Sequence, residues 1–181
     1  MRIVAGVWRG RSLIAPPGTE TRPTADRVRQ ALFDMLMHAP WAGRSVVENS
    51  CVLDAFAGTG ALGLEALSRG AARAVFVERA RPALTALRAN IDACRAGDRC
   101  EILPIDTLSV ASGTRADIVF LDPPYGQDLV SRALTRLRSA GRVGPGSLIV
   151  TETGRDEPTP EVDALAERTH GAARLTIWRE S

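Results

Sequence analysis

The sequence contains no lysine, few aromatic residues and few cysteines. All 23 basic residues are arginines, aromatic residues make up 4% of the 181 residues, and tyrosine occurs once. The three cysteines, Cys51, Cys94 and Cys100, are odd in number and show no C-x-x-C spacing. This argues against a disulfide framework or a zinc site and favours reduced thiols in a cytosolic protein. His38 and His170 stand alone, so we assign them no catalytic role.

Long apolar stretches are also absent. No run approaches the roughly 18 residues of a membrane span, and Arg2 and Arg9 interrupt the N-terminus too early for the core of a signal peptide. We therefore expect a cytoplasmic protein that makes no membrane contact. The length and the composition, 45% hydrophobic and 24% charged, are typical of one globular domain with a core of its own.

Charge is distributed unevenly along the chain. The net charge is +2, but residues 1–44 hold seven arginines against three acidic residues, so this part carries +4 and the remainder −2. A basic first quarter indicates a polyanionic partner, and a solvated basic face is the alternative of equal weight. We accordingly divide the chain into a basic N-terminal extension, 1–44, and a second unit, 45–181.

The N-terminal extension is predicted to form a β-hairpin and a helix. Two short apolar runs, Ile3–Val7 and Ser12–Ala15, flank a glycine-containing segment with two arginines, which suggests a hairpin with an arginine-rich tip. Thr24 is the predicted N-cap of a helix from about Ala25 to about His38, in which apolar residues recur at helical spacing.

Strands and helices alternate from Cys51 onward. Short links between them predict an α/β, Rossmann-like fold, in which helices cover both faces of a mostly parallel sheet. In the tail, Ala164–Thr169 fits a strand or a helical turn and Ala173–Arg179 fits a strand, which together suggest a terminal antiparallel pair. The earlier predicted strands are Cys51–Ala55, Arg73–Glu78, Cys100–Ile105, Ala116–Leu121 and Ser147–Thr151, and the predicted helices are Ala61–Arg69, Arg81–Arg95 and Leu129–Ala140.

A glycine-rich turn follows the first of these strands. Gly58, Gly60 and Gly63 have G-x-G-x-x-G spacing and stand between an apolar run that ends at Asp54 and a helical pattern. Glycines allow the backbone to approach a ligand closely, and the helix N-terminus presents unpaired N–H groups to negative charge. In this strand–turn–helix setting, the spacing favours a nucleotide-type cofactor over a purely structural turn.

Four consecutive predicted strands end in a carboxylate: Asp54, Glu78, Asp106 and Asp122. Ligands of parallel sheets bind at this edge, and Glu78 lies 20 residues beyond Gly58, at the distance of an acid that holds the ribose of NAD or of S-adenosylmethionine. Asp54 would repel a pyrophosphate and favour the cationic amino end of S-adenosylmethionine. Asp106 could accept a hydrogen bond from the adenine amine. A dehydrogenase is therefore the weaker alternative.

The most specific signal is Asp122-Pro123-Pro124-Tyr125. An exocyclic amine of a nucleobase is a poor nucleophile because its lone pair is delocalised into the ring. Asp122 and the Pro123 carbonyl could accept both N–H bonds and free that lone pair, while the two prolines fix the turn. Tyr125 offers a flat face to an extruded base. In-line transfer from a charged methyl donor then needs no metal and no covalent enzyme intermediate.

These stretches resemble a known family. VLDAFAGTGALGLEALSRG, FVE and FLDPPY are similar to class I S-adenosylmethionine-dependent methyltransferases that methylate nitrogen. MRIVAGVWRGRSL and RPTADRVRQALF resemble the opening of the bacterial 16S rRNA guanine-N2 methyltransferases, the RsmD family. The resemblance implies a seven-stranded sheet with an antiparallel last strand, S-adenosylmethionine as the methyl donor, and methylation of one loop guanine of 16S rRNA, within an assembling small subunit. We expect a monomer without a metal.

We assign the site residues from the motifs and this resemblance. The residues expected to act on the target amine are Asp122, Pro123, Pro124 and Tyr125. Those expected around the donor are Asp54, Ala55, Gly58, Thr59, Gly60, Glu78, Arg79, Asp106, Thr107 and Asp122. Those expected to contact RNA phosphates are Arg9, Arg11, Arg22, Arg27 and Arg29.

Two further functions stay open at this point. The D-P-P-Y chemistry also suits adenine N6, so a DNA adenine methyltransferase is the nearest alternative, although no DNA-recognition domain is evident. The other is an RNA-binding assembly factor that has the same fold and no catalytic activity. Arg29 also has a structural alternative, because it could pair with Asp26 one helical turn earlier.

Overall fold

A computed structural model describes residues 1–16, 23–42, 44–124, 126, 128–158 and 160–181, with the backbone alone at 23–25, 44 and 45. None of the helices in these ranges is long and apolar enough to cross a membrane. The helices are α1 (Pro23–His38), α2 (Arg44–Val47), α3 (Ala61–Ser68), α4 (Arg81–Cys94) and α5 (Leu129–Ser139). The strands are β1 (Cys51–Asp54), β2 (Arg73–Val77), β3 (Cys100–Leu103), β4 (Ile118–Leu121), β5 (Leu148–Gly154), β6 (Ala164–His170) and β7 (Ala173–Arg179).

The strands form one seven-stranded sheet in the order β3-β2-β1-β4-β5-β7-β6. The pairs from β3 to β5 are parallel, and β7 runs antiparallel to both β5 and β6. The predicted Rossmann-like fold, with an antiparallel last strand, is confirmed. The ambiguous segment in the tail is a strand, β6, and it forms the predicted terminal antiparallel pair with β7.

Four of the parallel strands differ from their predicted bounds by one or two residues, and β5 differs by more. β5 continues to Gly154 instead of ending at Thr151, because β7 remains paired with it up to Gly154, whereas its parallel partner β4 ends level with Thr151. Between the predicted helix that ends near His38 and the predicted strand that begins at Cys51, where no element is predicted, the chain forms the single turn of α2. The extended β5 places Glu152 within a strand at the carboxyl edge of the sheet.

Two hydrophobic clusters lie on the opposite faces of the sheet. On one face, apolar residues of α1, α3 and α4 pack on alternate residues of the strands, and the rings of Phe33 in α1 and Phe120 in β4 have centroids 5.8 Å apart. On the other face, α5 packs through Val130, Leu134 and Leu137. Helices therefore cover both faces, as the alternating pattern predicts.

The N-terminal segment, residues 1–16, is less regular than the predicted hairpin. It folds back on itself through one antiparallel bridge, Arg2 with Ser12, and the flanking runs form no regular strands. Three backbone hydrogen bonds of 2.9 to 3.0 Å join residues 1–3 to residues 10–13, so the segment is an irregular hairpin. Its turn also bonds with α3: Val7 N–H donates to the Ser68 carbonyl (2.8 Å) and Trp8 N–H to Ser68 Oγ (3.0 Å). Thr24 lies inside α1, which begins at Pro23, so the predicted N-cap is wrong.

A buried glutamate joins the N-terminal segment to the sheet domain. Glu65, in the middle of α3 and fully buried, accepts hydrogen bonds from the backbone N–H groups of Val4 (2.8 Å) and Ala5 (3.0 Å). Its carboxylate also pairs with Arg69 Nε (2.7 Å) and lies 3.4 Å from Arg29 Nε. Two buried cations and two backbone donors thus share one carboxylate.

Replacing Glu65 should detach the N-terminal segment. We expect Glu65→Ala to lower the free energy of unfolding by about 3 to 5 kcal/mol, because it removes the fully buried carboxylate that two buried guanidinium groups share. Urea unfolding would measure the loss, and hydrogen exchange at Val4 and Ala5 would locate it. Glu167→Ala, on the exposed edge strand β6, is the matched control and should change stability by less than about 0.5 kcal/mol. Equal effects of the two changes would contradict this role.

Candidate functional site

The glycine-rich turn is tightly packed between β1 and α3. Gly60 precedes α3 with φ of 80°, and a Cβ there would come within 2.4 Å of Leu87 Cδ1. A Cβ on Gly63 would come within 2.3 Å of Phe76 Cε1, so only glycine lets α3 lie this close to β2. The turn is also tied to β2, because Ala57 N–H donates to the Val77 carbonyl at 3.0 Å. The loop beside the cleft is therefore held rigidly.

A cleft of about 570 Å³ opens at the carboxyl edge of the parallel strands. It lies where the strand order reverses, between the β1–β2–β3 half and the β4–β5 half of the sheet. Eight of the predicted site residues line it: Gly58, Glu78, Arg79, Asp106, Thr107, Asp122, Pro123 and Pro124. The apolar part of its wall comes from residues that we did not predict: Phe56, Val77, Ala80, Ile105 and Leu129.

Glu78 joins the glycine turn to the start of α4. One of its carboxylate oxygens accepts Gly58 N–H at 2.8 Å, and the other accepts the N–H groups of Arg79 (2.8 Å) and Ala80 (2.7 Å). These bonds hold the carboxylate at the cleft wall, at the end of β2. The fixed carboxylate retains lone pairs for the two hydroxyl groups of a ribose.

The end of the cleft beside β3 is closed by an ion pair. Arg79 Nη1 lies 2.5 Å from Asp106 Oδ2, and Asp106 Oδ1 accepts Leu108 N–H at 2.8 Å. The Thr107 hydroxyl donates to the Ala55 carbonyl, which links this loop to the end of β1. Asp106 therefore has partners already, and an adenine amine would have to share it with Arg79.

Two carboxylates with raised pKa values stand at the ends of the central strands. Asp54 is 2% exposed, and burial raises its pKa to about 7, against the effect of a 3.0 Å hydrogen bond from Gly63 N–H and with a smaller contribution from Glu78. Asp122 faces the cleft. Loss of hydration raises the pKa of its carboxyl group well above the usual range, and the negative charges of Glu152 and then of Asp54 add to the shift. A cation placed between these acids would favour their charged forms.

The predicted donor residues that do not line the cleft support it from behind. Asp54, Ala55 and Gly60 are buried, and the Thr59 carbonyl accepts a hydrogen bond from Asn90 Nδ2 (3.0 Å). Tyr125, predicted to stack on the target base, lies outside the described residues.

The arginines predicted to contact RNA fall into separate groups. Arg9, Arg11 and Arg27 are exposed, and Arg11 Nη1 donates to the Ala93 carbonyl of α4. Arg29 is 5% exposed and pairs with Asp26 at 2.9 Å, so in this structure it is a buried ion-pair partner and is not available to a phosphate. Arg22 lies outside the described residues.

Two polar residues near the site were not predicted. Asn90, fully buried in α4, accepts Ile14 N–H (2.7 Å) and donates to the carbonyls of Ile14 and Thr59, which couples the N-terminal segment to the glycine turn. The sequence signal that could have identified Asn90 is its position, a polar amide on the apolar face of a predicted helix. Glu152 follows the apolar start of β5 much as Asp122 follows that of β4, and the prediction ended β5 three residues too early, at Thr151.

The family of the chain follows from comparison with known proteins. The family model described as conserved hypothetical protein 95 matches residues 1–179. The ribosomal RNA small subunit methyltransferase D of Haemophilus influenzae is 35% identical over 187 residues, which cover 99% of this chain and 93% of that protein. The chain belongs to the ribosomal RNA small subunit methyltransferase D family. The resemblance found in the sequence motifs is thereby confirmed.

Solved structures place the methyltransferase D family within a wider fold group. The Escherichia coli protein yhhF has a TM-score of 0.85 and 35% identity, with 99% of this chain and 98% of that chain covered. An RNA methyltransferase of Salinibacter ruber, solved in complex with S-adenosyl-L-homocysteine, has a TM-score of 0.66 over 89% of this chain and 93% of that chain. It is 18% identical, so this likeness concerns the fold alone.

Proposed function

We propose that the chain transfers a methyl group from S-adenosylmethionine to the exocyclic N2 amine of one guanine in 16S rRNA. The observation that carries this proposal is the position of Asp122-Pro123-Pro124 on the wall of the same cleft as Glu78, the carboxylate that follows β2. Membership of the methyltransferase D family supports the reaction class and the RNA substrate.

The residues of the cleft fit a cationic adenosine-type donor. Glu78 is fixed where it can bind ribose hydroxyls, and the apolar wall formed by Val77 and Ile105 suits the adenine ring. Asp54 and Asp122 form an acidic region that would repel a pyrophosphate and attract a positive charge. When bound, S-adenosylmethionine supplies an activated methyl group on a positively charged sulfur. This charge complementarity favours S-adenosylmethionine over a dinucleotide.

Asp122 prepares the target amine for attack. Its carboxylate and the Pro123 carbonyl accept the two N–H bonds of the amine, which turns the nitrogen lone pair toward the methyl group. Asp122 must be ionised so that both of its carboxylate oxygens can accept hydrogen bonds. The nearby positive charge of the donor favours this form because it lowers the pKa of Asp122 and that of Asp54. The binding of the donor thus prepares the acceptor site, and the chemistry rests on positioning and electrostatics.

The RNA partner is proposed to approach from the N-terminal segment. Exposed Arg9 lies on this segment, and exposed Arg27 lies on α1. Asn90 ties the same segment to the glycine turn, so a polyanion that binds it would lie beside the cleft. An assembling small subunit as the natural substrate, a monomeric enzyme and a reaction without a metal stay predictions.

Neutralising the exposed arginines should weaken RNA binding and its salt dependence together. We expect Arg9→Gln with Arg27→Gln to lower the slope of log affinity against log salt by about 1.4 to 1.8, because each lost phosphate contact removes roughly 0.7 to 0.9. Fluorescence anisotropy with 16S rRNA fragments at several salt concentrations would measure this. The control pair is Arg115→Gln with Arg132→Gln, exposed residues outside the N-terminal segment. Equal slopes for the two double variants would rule out this RNA surface.

The acceptor is identified by transfer of a radiolabelled methyl group from S-adenosylmethionine. The acceptors to compare are unmethylated small subunits, naked 16S rRNA and duplex DNA. The proposal predicts label in rRNA, as naked RNA or within the subunit, and none in DNA. Label in DNA alone would support the adenine methyltransferase. No transfer to any of the three, together with failure to bind the donor, would support the assembly factor.

A further inference from the structure

Glu152 stands beside Asp122 at the carboxyl edge of the sheet. β4 and β5 are parallel neighbours in which Leu121 pairs with Thr151, so the next residue on each strand, Asp122 and Glu152, follows at the same level. Adjacent strands in a sheet lie about 4.8 Å apart. The effect of Glu152 on the pKa of Asp122 agrees with this proximity.

The two carboxylates also share one face of the sheet. Phe120 and Val150, two residues earlier on the two strands, both belong to the cluster under α1, α3 and α4. Side chains alternate along a strand, so position 152 returns to the face of Val150, and position 122, one residue beyond the end of β4, follows Phe120 by the same two-residue step. Glu152 is half-buried there and is not part of the wall of the donor cleft.

Glu152 lies on the side of Asp122 that is opposite the proposed donor site. The strand order runs β3, β2, β1, β4, β5, so Asp106, Glu78 and Asp54 lie on one side of Asp122 and Glu152 on the other. A target amine held by Asp122 must present its nitrogen toward the donor. The ring that carries the amine then has room to extend toward β5 and Glu152, on the side away from the donor.

We propose that the Glu152 carboxylate accepts the N1–H of the target base and so selects guanine over adenine. This inference rests on the proposed function, and it adds the residue that reads the base. In guanine the ring atom next to the C2 amine is N1–H, a donor, whereas in adenine the ring atom next to the N6 amine is N1 with a lone pair. A carboxylate bonds the first and repels the second. Guanine thus supplies three N–H groups, to Asp122, to the Pro123 carbonyl and to Glu152.

The test uses two 16S rRNAs that differ only at the methylated position, guanosine in one and 2-aminopurine riboside in the other. 2-Aminopurine has the same exocyclic amine, but its N1 is an acceptor. We expect the wild-type enzyme to methylate guanosine at least about 100-fold faster in single-turnover transfer, since sites built to bond a substrate N–H reject analogues that lack it. Glu152→Gln, whose amide can donate to N1, should narrow this ratio at least tenfold.

Glu101→Gln, a half-exposed position on β3, makes the same charge change away from Asp122 and should leave the ratio at its wild-type value. Calorimetry with S-adenosylmethionine checks that each variant is folded. An unchanged ratio in Glu152→Gln, or equal loss on both RNAs with donor binding retained, would overturn the inference. So would equal wild-type rates on the two RNAs, a result that needs no variant. A wild-type enzyme inactive on the guanosine RNA would contradict the proposed function itself.

Discussion

Replacing Asp122 with alanine should reduce methyl transfer by about 100- to 1000-fold, while S-adenosylmethionine still binds. The carboxylate is proposed to accept the hydrogens of the target amine as its nitrogen becomes tetrahedral, and loss of one such polar contact in a transition state has effects of this size. Removal of an acid that sits near Asp54 and Glu152 also relieves repulsion in the free protein. Single-turnover transfer at saturating donor and rRNA would measure the rate, and calorimetry the affinity for the donor.

A graded series sharpens this result. Asp122→Asn keeps one amide oxygen that can accept a hydrogen bond, so its rate should lie between those of the wild type and Asp122→Ala. Asp98→Ala, exposed in the turn before β3, is the matched control and should transfer at the wild-type rate. If Asp122→Ala kept a near-normal rate, the amine-acceptor role would be wrong. If it lost donor binding and transfer equally, Asp122 would be a donor ligand only.

The second large effect is expected at Asp54, where function opposes stability. Its pKa of about 7 means that the folded protein holds the proton more tightly than the unfolded chain, whose value is 3.8. The free energy of unfolding of the ligand-free protein therefore falls as pH rises from about 4 to about 7. Roughly 3 pH units at about 1.4 kcal/mol each set an upper bound near 4 kcal/mol.

Asp54→Asn should consequently raise stability above neutral pH and weaken donor binding. The amide oxygen can still accept Gly63 N–H, and the cost of a buried charge is removed. We expect a gain of about 2 to 4 kcal/mol at about pH 8 that disappears near pH 4. We also expect a 10- to 100-fold loss of donor affinity, the scale of a lost charge-assisted bond.

Urea unfolding at the two pH values and calorimetry with S-adenosylmethionine measure the two effects separately. Asp92→Asn, an exposed position on α4, is the control and should change neither. A variant that is no more stable at high pH would show that Asp54 carries no buried charge. Wild-type affinity for S-adenosylmethionine in Asp54→Asn would show that Asp54 does not contribute to donor binding.

The donor half of the site was predictable because local patterns determine it. The G-x-G-x-x-G spacing after an apolar run predicts a turn whose glycines meet Leu87 and Phe76, and no other residue fits at those distances. Acids that follow successive parallel strands must meet at one edge of the sheet. For this reason Glu78 and Asp122 lie on the same cleft although 44 residues separate them in the chain.

The N-terminal segment and the end of β5 were less predictable because distant contacts shape them. Two short apolar runs predicted a hairpin, and the two arms do exchange backbone hydrogen bonds, but the residues around the turn bond to Glu65 and Ser68 of α3, which no local pattern indicates. Arg29 was assigned to RNA on its charge, and its burial depends on that same glutamate. The extent of β5 depends on β7, which begins 19 residues after the end of β5.

The most direct test of the central claim is the position of the transferred methyl group. Small-subunit rRNA labelled by the enzyme with S-adenosylmethionine would be digested to nucleosides, and the labelled nucleoside would be identified by chromatography and mass spectrometry. The structure and the family predict N2-methylguanosine at a single position. Label in N6-methyladenosine would contradict the choice of base, and label on carbon or on the ribose would contradict the role of Asp122 as the acceptor of the amine hydrogens.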